Sequence, residues 1–289
     1  MAKDWVIGII GGSGLYALDA LEDPQWIAVS SPFGTPSDEI LCGHIGEVQV
    51  RFLPRHGRGH RIAPGAVDAR ANMDALKRAG CTDIVAVGAV GSLNEAFAPG
   101  QFVAVDQFID RTTLRPASFF GTGCVAHVSM ADPTCPRLSG LMGDAVEAAG
   151  GQLARGGTYI AIEGPQFSTR AESALYRQWG ADVIGMTALP EARLAREAEL
   201  PYALLAMVTD YDCWNAAADP VSVEQVLDVM AANAETARTA VELLVRNLPR
   251  RRDPSPIDNA LDDAIVTAPA ARDRSLVAKL DAVAGRVLR

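Results

Sequence analysis

Val6-Ile7-Gly8-Ile9-Ile10-Gly11-Gly12-Ser13-Gly14-Leu15-Tyr16-Ala17 begins as an apolar run of strand length and runs straight into a glycine-rich loop. Residues 12–17 fit G-x-G-x-x-A, the dinucleotide-binding fingerprint. That reading needs an amphipathic helix immediately afterwards, then a second strand ending in an acid about 20 residues on. Here Asp19 to Asp23 is short and acidic, Pro24 interrupts, and residues 32–53 read as irregular chain and a hairpin turning at Gly43-His44-Ile45-Gly46. The βαβ context is missing, so NAD or flavin binding rests on the glycines alone. The same residues suit a loop whose backbone N–H groups and Ser13 hydroxyl gather on one anion, or a tight turn without a ligand.

Outward from this loop the chain alternates strand and helix patterns. Pro64 to Ala79 has helical spacing and stops at Gly80; Ile84-Val85-Ala86-Val87 is a second buried strand, ending in Gly88-Ala89-Val90-Gly91-Ser92. Strands are expected at 102–105, 157–162, 182–184 and 202–208. Helices are expected near 136–149, 169–178, 190–199 and 221–248. This alternation predicts an α/β fold, a single-domain three-layer sandwich with a mixed, mostly parallel central sheet, spanning residues 1–249. Residues 250–289 read as a linker (Arg250-Arg251-Arg252, Pro254-Ser255-Pro256) followed by a helical extension over Arg272 to Leu288.

Composition narrows the function classes. The 289 residues are 49% hydrophobic, enough for a sizeable core. Against 35 Asp and Glu stand only 26 Lys and Arg, a formal net charge of −9, the opposite of a nucleic-acid-binding field. No apolar run approaches the roughly 20 residues of a membrane span, and Met1-Ala2-Lys3-Asp4-Trp5 shows no signal-peptide pattern; the expected location is the cytoplasm. The five cysteines are scattered and never C-x-x-C, which argues against a disulfide framework or a structural zinc site.

Three segments carry candidate chemistry, each leaving a strand. Pro54-Arg55-His56-Gly57-Arg58-Gly59-His60-Arg61 packs three Arg and two of the chain's four His together, a cluster suited to phosphate and also compatible with a solvated basic loop. Glu163-Gly164-Pro165-Gln166-Phe167-Ser168 supplies a carboxylate for sugar hydroxyls and a ring for a base, or simply a turn with a helix cap at Ser168. Thr209-Asp210-Tyr211-Asp212 puts two carboxylates on one face of extended chain. Such closeness raises at least one pKa and prepares a general acid, the group that a departing purine needs at N7. An acidic loop or a metal site is the competing reading, though no nearby His or third acid completes the ligation.

Taken in order, Gly11-Gly12-Ser13-Gly14-Leu15, Arg55-His56-Gly57, Asp106-Gln107-Phe108-Ile109-Asp110-Arg111-Thr112, Ile162 to Ser168 and Thr209 to Trp214 resemble the purine nucleoside phosphorylase superfamily, most closely its methylthioadenosine phosphorylase branch, from about Val6 to Leu248. The resemblance implies that Ser13, Arg55, His56, the Ala89 backbone and Thr187 surround phosphate. It implies that Phe167, Ser168 and Met186 line base and ribose, that Asp210 and Asp212 face the purine, and that Val226 and Leu227 border a methylthio pocket. His127 resembles a residue contributed by a neighbouring subunit, and the family assembles as a trimer. The implied reaction needs inorganic phosphate as co-substrate and no metal or organic cofactor. Asp210 stands where 6-oxopurine enzymes have Asn, which favours adenine. The rival activities are phosphorolysis of adenosine, inosine or methylthioinosine, hydrolysis without phosphate, NAD-dependent oxidoreduction, and purine binding without turnover. Gly88 and Gly185 depart from the family pattern, where relatives often have Thr and Asn.

Overall fold

The computed structural model describes residues 4–12, 15, 19–215 and 223–288, the side chains of 223–228 excepted. The strands are β1 (Val6–Gly11), β2 (Glu22–Ile27), β3 (Ile40–Ile45), β4 (Val48–Pro54), β5 (Asp83–Ser92), β6 (Phe102–Val105), β7 (Gln107–Asp110), β8 (Leu153–Arg155), β9 (Thr158–Ala161), β10 (Val183–Gly185) and β11 (Tyr202–Tyr211). The helices are α1 (Ala69–Arg78), α2 (Pro136–Ala148), α3 (Arg170–Gln178), α4 (Ala188–Glu197), α5 (Val223–Arg246), α6 (Arg274–Lys279) and α7 (Gly285–Leu288).

The expected α/β architecture with a mixed, mostly parallel sheet is present. One path through the sheet runs β2-β3-β4-β1-β5-β10-β9-β7, while β11 pairs with β5 and β6, and β6 with β8. Side-chain alternation sends each central strand into two cores. Ile84 and Ala86 of β5 and Leu204 and Ala206 of β11 face α1 and α4; Val85, Val87, Leu205 and Met207 face α2 and α5. Strands apolar on both faces and covered by helices on both sides make three layers.

The feature that creates a site is an exchange of neighbours along β5. Its first half pairs in parallel with β1, from Asp83↔Ile7 to Ala86↔Ile10. Its end pairs antiparallel with β10, at Gly91↔Ile184 and Ser92↔Val183. Between Ala86 and Gly91 that edge has no strand partner among the described residues, while the other edge stays zipped to β11. A crevice opens there beside the ends of β1, β10 and β11, where open α/β sheets hold ligands.

The hairpin turns two residues later than expected. Ile45 pairs with Val48, and Gly46 takes the left-handed φ of 59° that a two-residue turn requires. Gly43 instead lies inside β3, where a Cβ would sit 2.6 Å from the Glu22 carbonyl oxygen. Residues 250–288 pack against the body: Leu261, Leu280, Val283 and Ala284 join the core around α1 and α4, and buried Arg252 pairs with buried Asp83. The helix expected over 272–288 is broken into α6 and α7.

Candidate active site

The crevice is a cavity of about 510 Å³. Arg55, His56, Gly88, Ala89 and Thr187 line one end, Asp210 and Asp212 the other, with Phe167, Ser168 and Met186 between them. Of the residues singled out in the sequence, these meet around one cavity. Ser13 and the side chains of Val226 and Leu227 lie outside the described residues, although Gly12, next to Ser13, and Met230, one turn beyond Val226 on α5, both reach the cavity. His127 is not part of the lining; its N–H donates to the Ala264 carbonyl in the strand bridge between Ala126 and Ile265.

At the first end Arg55 leaves β4 fully buried, and its charge is matched by buried Glu191 of α4. Nε donates to Glu191 Oε2 at 3.0 Å and Nη2 to Oε1 at 3.2 Å, while the Tyr202 hydroxyl holds the same Oε1 at 2.8 Å. Nη1 donates to the Val87 carbonyl at 2.9 Å, and Nη2 also reaches the Ile10 carbonyl at 3.5 Å. A guanidinium has five N–H groups, so one on Nη1 is left for a ligand. A Cβ on Gly88 would stand 3.8 Å from Arg55 Nη1 and 3.9 Å from Thr187 Oγ1. Both donors therefore flank one point beside the unpaired edge of β5.

His56 plays a different part from the expected donor. Its Nδ1 lies 2.8 Å from the Ile62 carbonyl oxygen, which can only accept, so Nδ1 carries the hydrogen and Nε2 the lone pair. Burial, opposed by the Ile62 carbonyl and reinforced by the charges of Arg55 and His60, pulls its pKa down to about 4. The ring is neutral near pH 7 and stacked 4.3 Å from His60, and its Nε2 lone pair is able to accept a hydrogen bond from an O–H.

At the second end a bulge at Thr209 shifts the register of β11 against β5. Asp210 then stands opposite Gly91, whose missing side chain makes room: a Cβ there would lie 3.1 Å from Asp210 Oδ2 and 3.6 Å from Asp212 Cβ. Burial, opposed by a hydrogen bond from Thr209 Oγ1 and reinforced by the charge of Asp212, pushes Asp210 up to about 6. Burial also raises Asp212, whose buried Oδ2 has no hydrogen-bond partner among the described residues. Ser168 Oγ is likewise buried without one, because the cap of α3 is Thr169, in a capping box with Glu172, and not Ser168.

Glu163, read from the sequence as a grip for sugar hydroxyls, is used to build the wall. It accepts from the Thr113 and Leu114 N–H groups and from Arg115 Nε. Arg115 in turn donates to the carbonyls of Met186, Leu189 and Glu163, tying two cavity loops together. Sequence reasoning missed Arg115, Glu191 and Tyr202. A buried acid within the apolar pattern of α4 was the one available signal, since it calls for a buried cation.

The arrangement offers donors for an anion at one end and poised carboxyls for a base at the other. The Phosphorylase superfamily model matches residues 6–246. The chain is 57% identical to the S-methyl-5′-thioadenosine phosphorylase of Cereibacter sphaeroides over 98% of this chain and 99% of that protein, and 56% identical to the one of Rhodospirillum rubrum over 98% and 97%. Among solved structures, a methylthioadenosine phosphorylase from an antarctic soil metagenomic library superposes with a TM-score of 0.87 at 46% identity, covering 97% of this chain and 99% of that one. The Schistosoma mansoni methylthioadenosine phosphorylase in complex with adenine gives 0.81 at 34% identity, covering 98% of each. The chain belongs to the phosphorylase superfamily, within its methylthioadenosine phosphorylase family.

Proposed function

We propose that the chain is a pentosyltransferase that cleaves 5′-methylthioadenosine with inorganic phosphate, giving adenine and 5-methylthioribose 1-phosphate. The observation that carries this reading is the pairing, across one cavity, of an acid raised to about 6 (Asp210) with two donors converging beside Gly88 (Arg55 Nη1 and Thr187 Oγ1).

Phosphate lies against the open edge of β5, held by Arg55, Thr187 and the Ala89 backbone, with Ser13 completing the loop side. His56 accepts the O–H of a protonated phosphate, which turns the unprotonated oxygens toward the sugar. As the glycosidic bond lengthens, positive charge grows at C1′ and negative charge flows into the purine. The phosphate anion stabilises the first, and Asp210 relieves the second by protonating or hydrogen-bonding N7. Asp212 accepts from the 6-amino group, and phosphate then closes onto C1′ with inversion. Holding nucleophile and sugar in line supplies much of the rate. The reading includes no metal or organic cofactor.

Adenine selectivity follows from Asp210: its carboxyl pairs with N7 and the amino group, and a 6-oxo group would leave buried polar atoms mispaired. Met230 and the α5 turn that carries Val226 and Leu227 supply the apolar end for methylthio. We further propose a homotrimer in the cytoplasm, with His127 serving a neighbour's site. Exposed Leu114 (83%) and Phe167 (54%), together with Val266, support a surface that another subunit covers. No helix of the described residues is long and apolar enough to cross a membrane.

The test is to incubate the protein with methylthioadenosine, with and without phosphate, and follow adenine. Adenine released only with phosphate, beside a sugar 1-phosphate, is expected. Equal release without phosphate would make it a hydrolase, and side-by-side adenosine, inosine and methylthioinosine rank the purine preference.

A further inference from the structure

Gly185 closes β10 at the cavity wall, and its φ does not lie in the left-handed region that calls for glycine. Its reason is steric: a Cβ there would lie 2.2 Å from the hydroxyl oxygen of Tyr159 and 2.7 Å from the ring carbon bearing it. Tyr159 belongs to β9, next to β10 in the sheet, and pairs in register with Val183. It is buried, braced edge-on by Phe108 with ring centroids 5.8 Å apart, and its phenol reaches under Gly185. There Tyr159 Oη accepts the N–H of Thr187 at 3.2 Å. Thr187 has the side chain that converges with Arg55 Nη1 beside Gly88. Phenol, glycine and threonine thus form one unit: the missing side chain at 185 admits the ring, and the ring fixes the backbone that aims the Thr187 hydroxyl.

We propose that Tyr159 is a positioning residue for phosphate, acting through Thr187, and that Gly185 is present to admit it. The inference rests on the phosphorolytic reading. Tyr159 touches no substrate, so its effect is confined to the anion end and leaves the purine end alone.

The experiment is steady-state kinetics of Tyr159→Phe with phosphate and methylthioadenosine varied independently, beside melting curves. Loss of one neutral hydrogen bond predicts a phosphate KM raised about two- to tenfold. The methylthioadenosine KM should stay within about twofold, with little change in Tm. Gly185→Ala, which forces the phenol aside, should give the same selective rise. The double variant should be no worse than the worse single, because both break one contact. A wild-type phosphate KM in Tyr159→Phe, or both KM values rising together with a fall in Tm, would overturn the proposal while leaving phosphorolysis intact. If Tyr159→Phe does not fold, Gly185→Ala reads the same question. Wild-type turnover that ignores phosphate would sink the reading of the site and the proposal with it.

Discussion

The two ends of the cavity solve opposite electrostatic problems. At the anion end a fully buried cation, Arg55, has its charge matched by Glu191, and Tyr202 braces that acid. Burying a charge is costly unless it is paired and hydrogen-bonded, and here the protein's own groups do both. At the purine end Asp210 and Asp212 are carboxyls pushed up by burial, with one oxygen left unpartnered. The first end is pre-organised; in the proposed reaction the second is held in a state that a purine relieves. Preorganised dipoles cost no rearrangement during reaction, and an unsatisfied acid gives its strongest bond to the departing base.

Breaking the purine end should have the largest effect. Asp210→Ala is expected to lower kcat by about 10²–10⁴, the range of a lost general acid, with the fold retained by circular dichroism. A rate near wild type would remove Asp210 from the chemistry. Breaking the anion end should appear first in stability. Glu191→Ala leaves the Arg55 charge buried and alone, about 3–5 kcal/mol, which lowers Tm by about 10 °C in a thermal melt.

The pH dependence separates the ends. Donation to N7 needs protonated Asp210, so kcat/KM should fall about tenfold per unit as pH climbs past about 6, and this limb should vanish in Asp210→Asn. The same shift has a stability counterpart. The folded pKa lies above the unfolded value near 4, so Asp210's favourable contribution is present below pH 4 and lost as pH rises through 6. Asp210→Asn should therefore raise the Tm of the ligand-free protein at pH 8 by about 2–4 °C and leave it unchanged at pH 4. The smallest effect is expected at Gly88, where a side chain meets only ordinary contacts. Gly88→Thr should lower the phosphate KM by about two- to fivefold through one added hydroxyl, in contrast to the damage expected at Gly185.

What was legible in the sequence is what one segment states by itself. Apolar runs ending in glycine located β1 and β5, and Arg55-His56 and Asp210-Tyr211-Asp212 stood out because charge was concentrated after a strand. Strands without a buried side were missed: β2 is exposed along its length and contains Pro24, and β7 and β8 bury none of their residues, unlike the equally short β6, β9 and β10. Glu191 could not be matched to Arg55 because 136 residues separate them. Glu163 misled because a carboxylate beside a turn looks alike whether it faces a sugar or the N–H groups of Thr113 and Leu114. The packing of residues 250–288 was hidden by composition, since an arginine triplet with two prolines reads as linker while Arg252 is in fact buried on Asp83.

The unpaired edge of β5 bears on how such an enzyme can change over generations. Between Ala86 and Gly91 that edge has no strand partner among the described residues, so in the proposed site main-chain atoms face the phosphate, and every amino acid except proline brings the same N–H. Mutation can trade side chains at 88–90 while that edge persists. Substrate preference can drift there without the lineage passing through a form that has lost its grip on the anion.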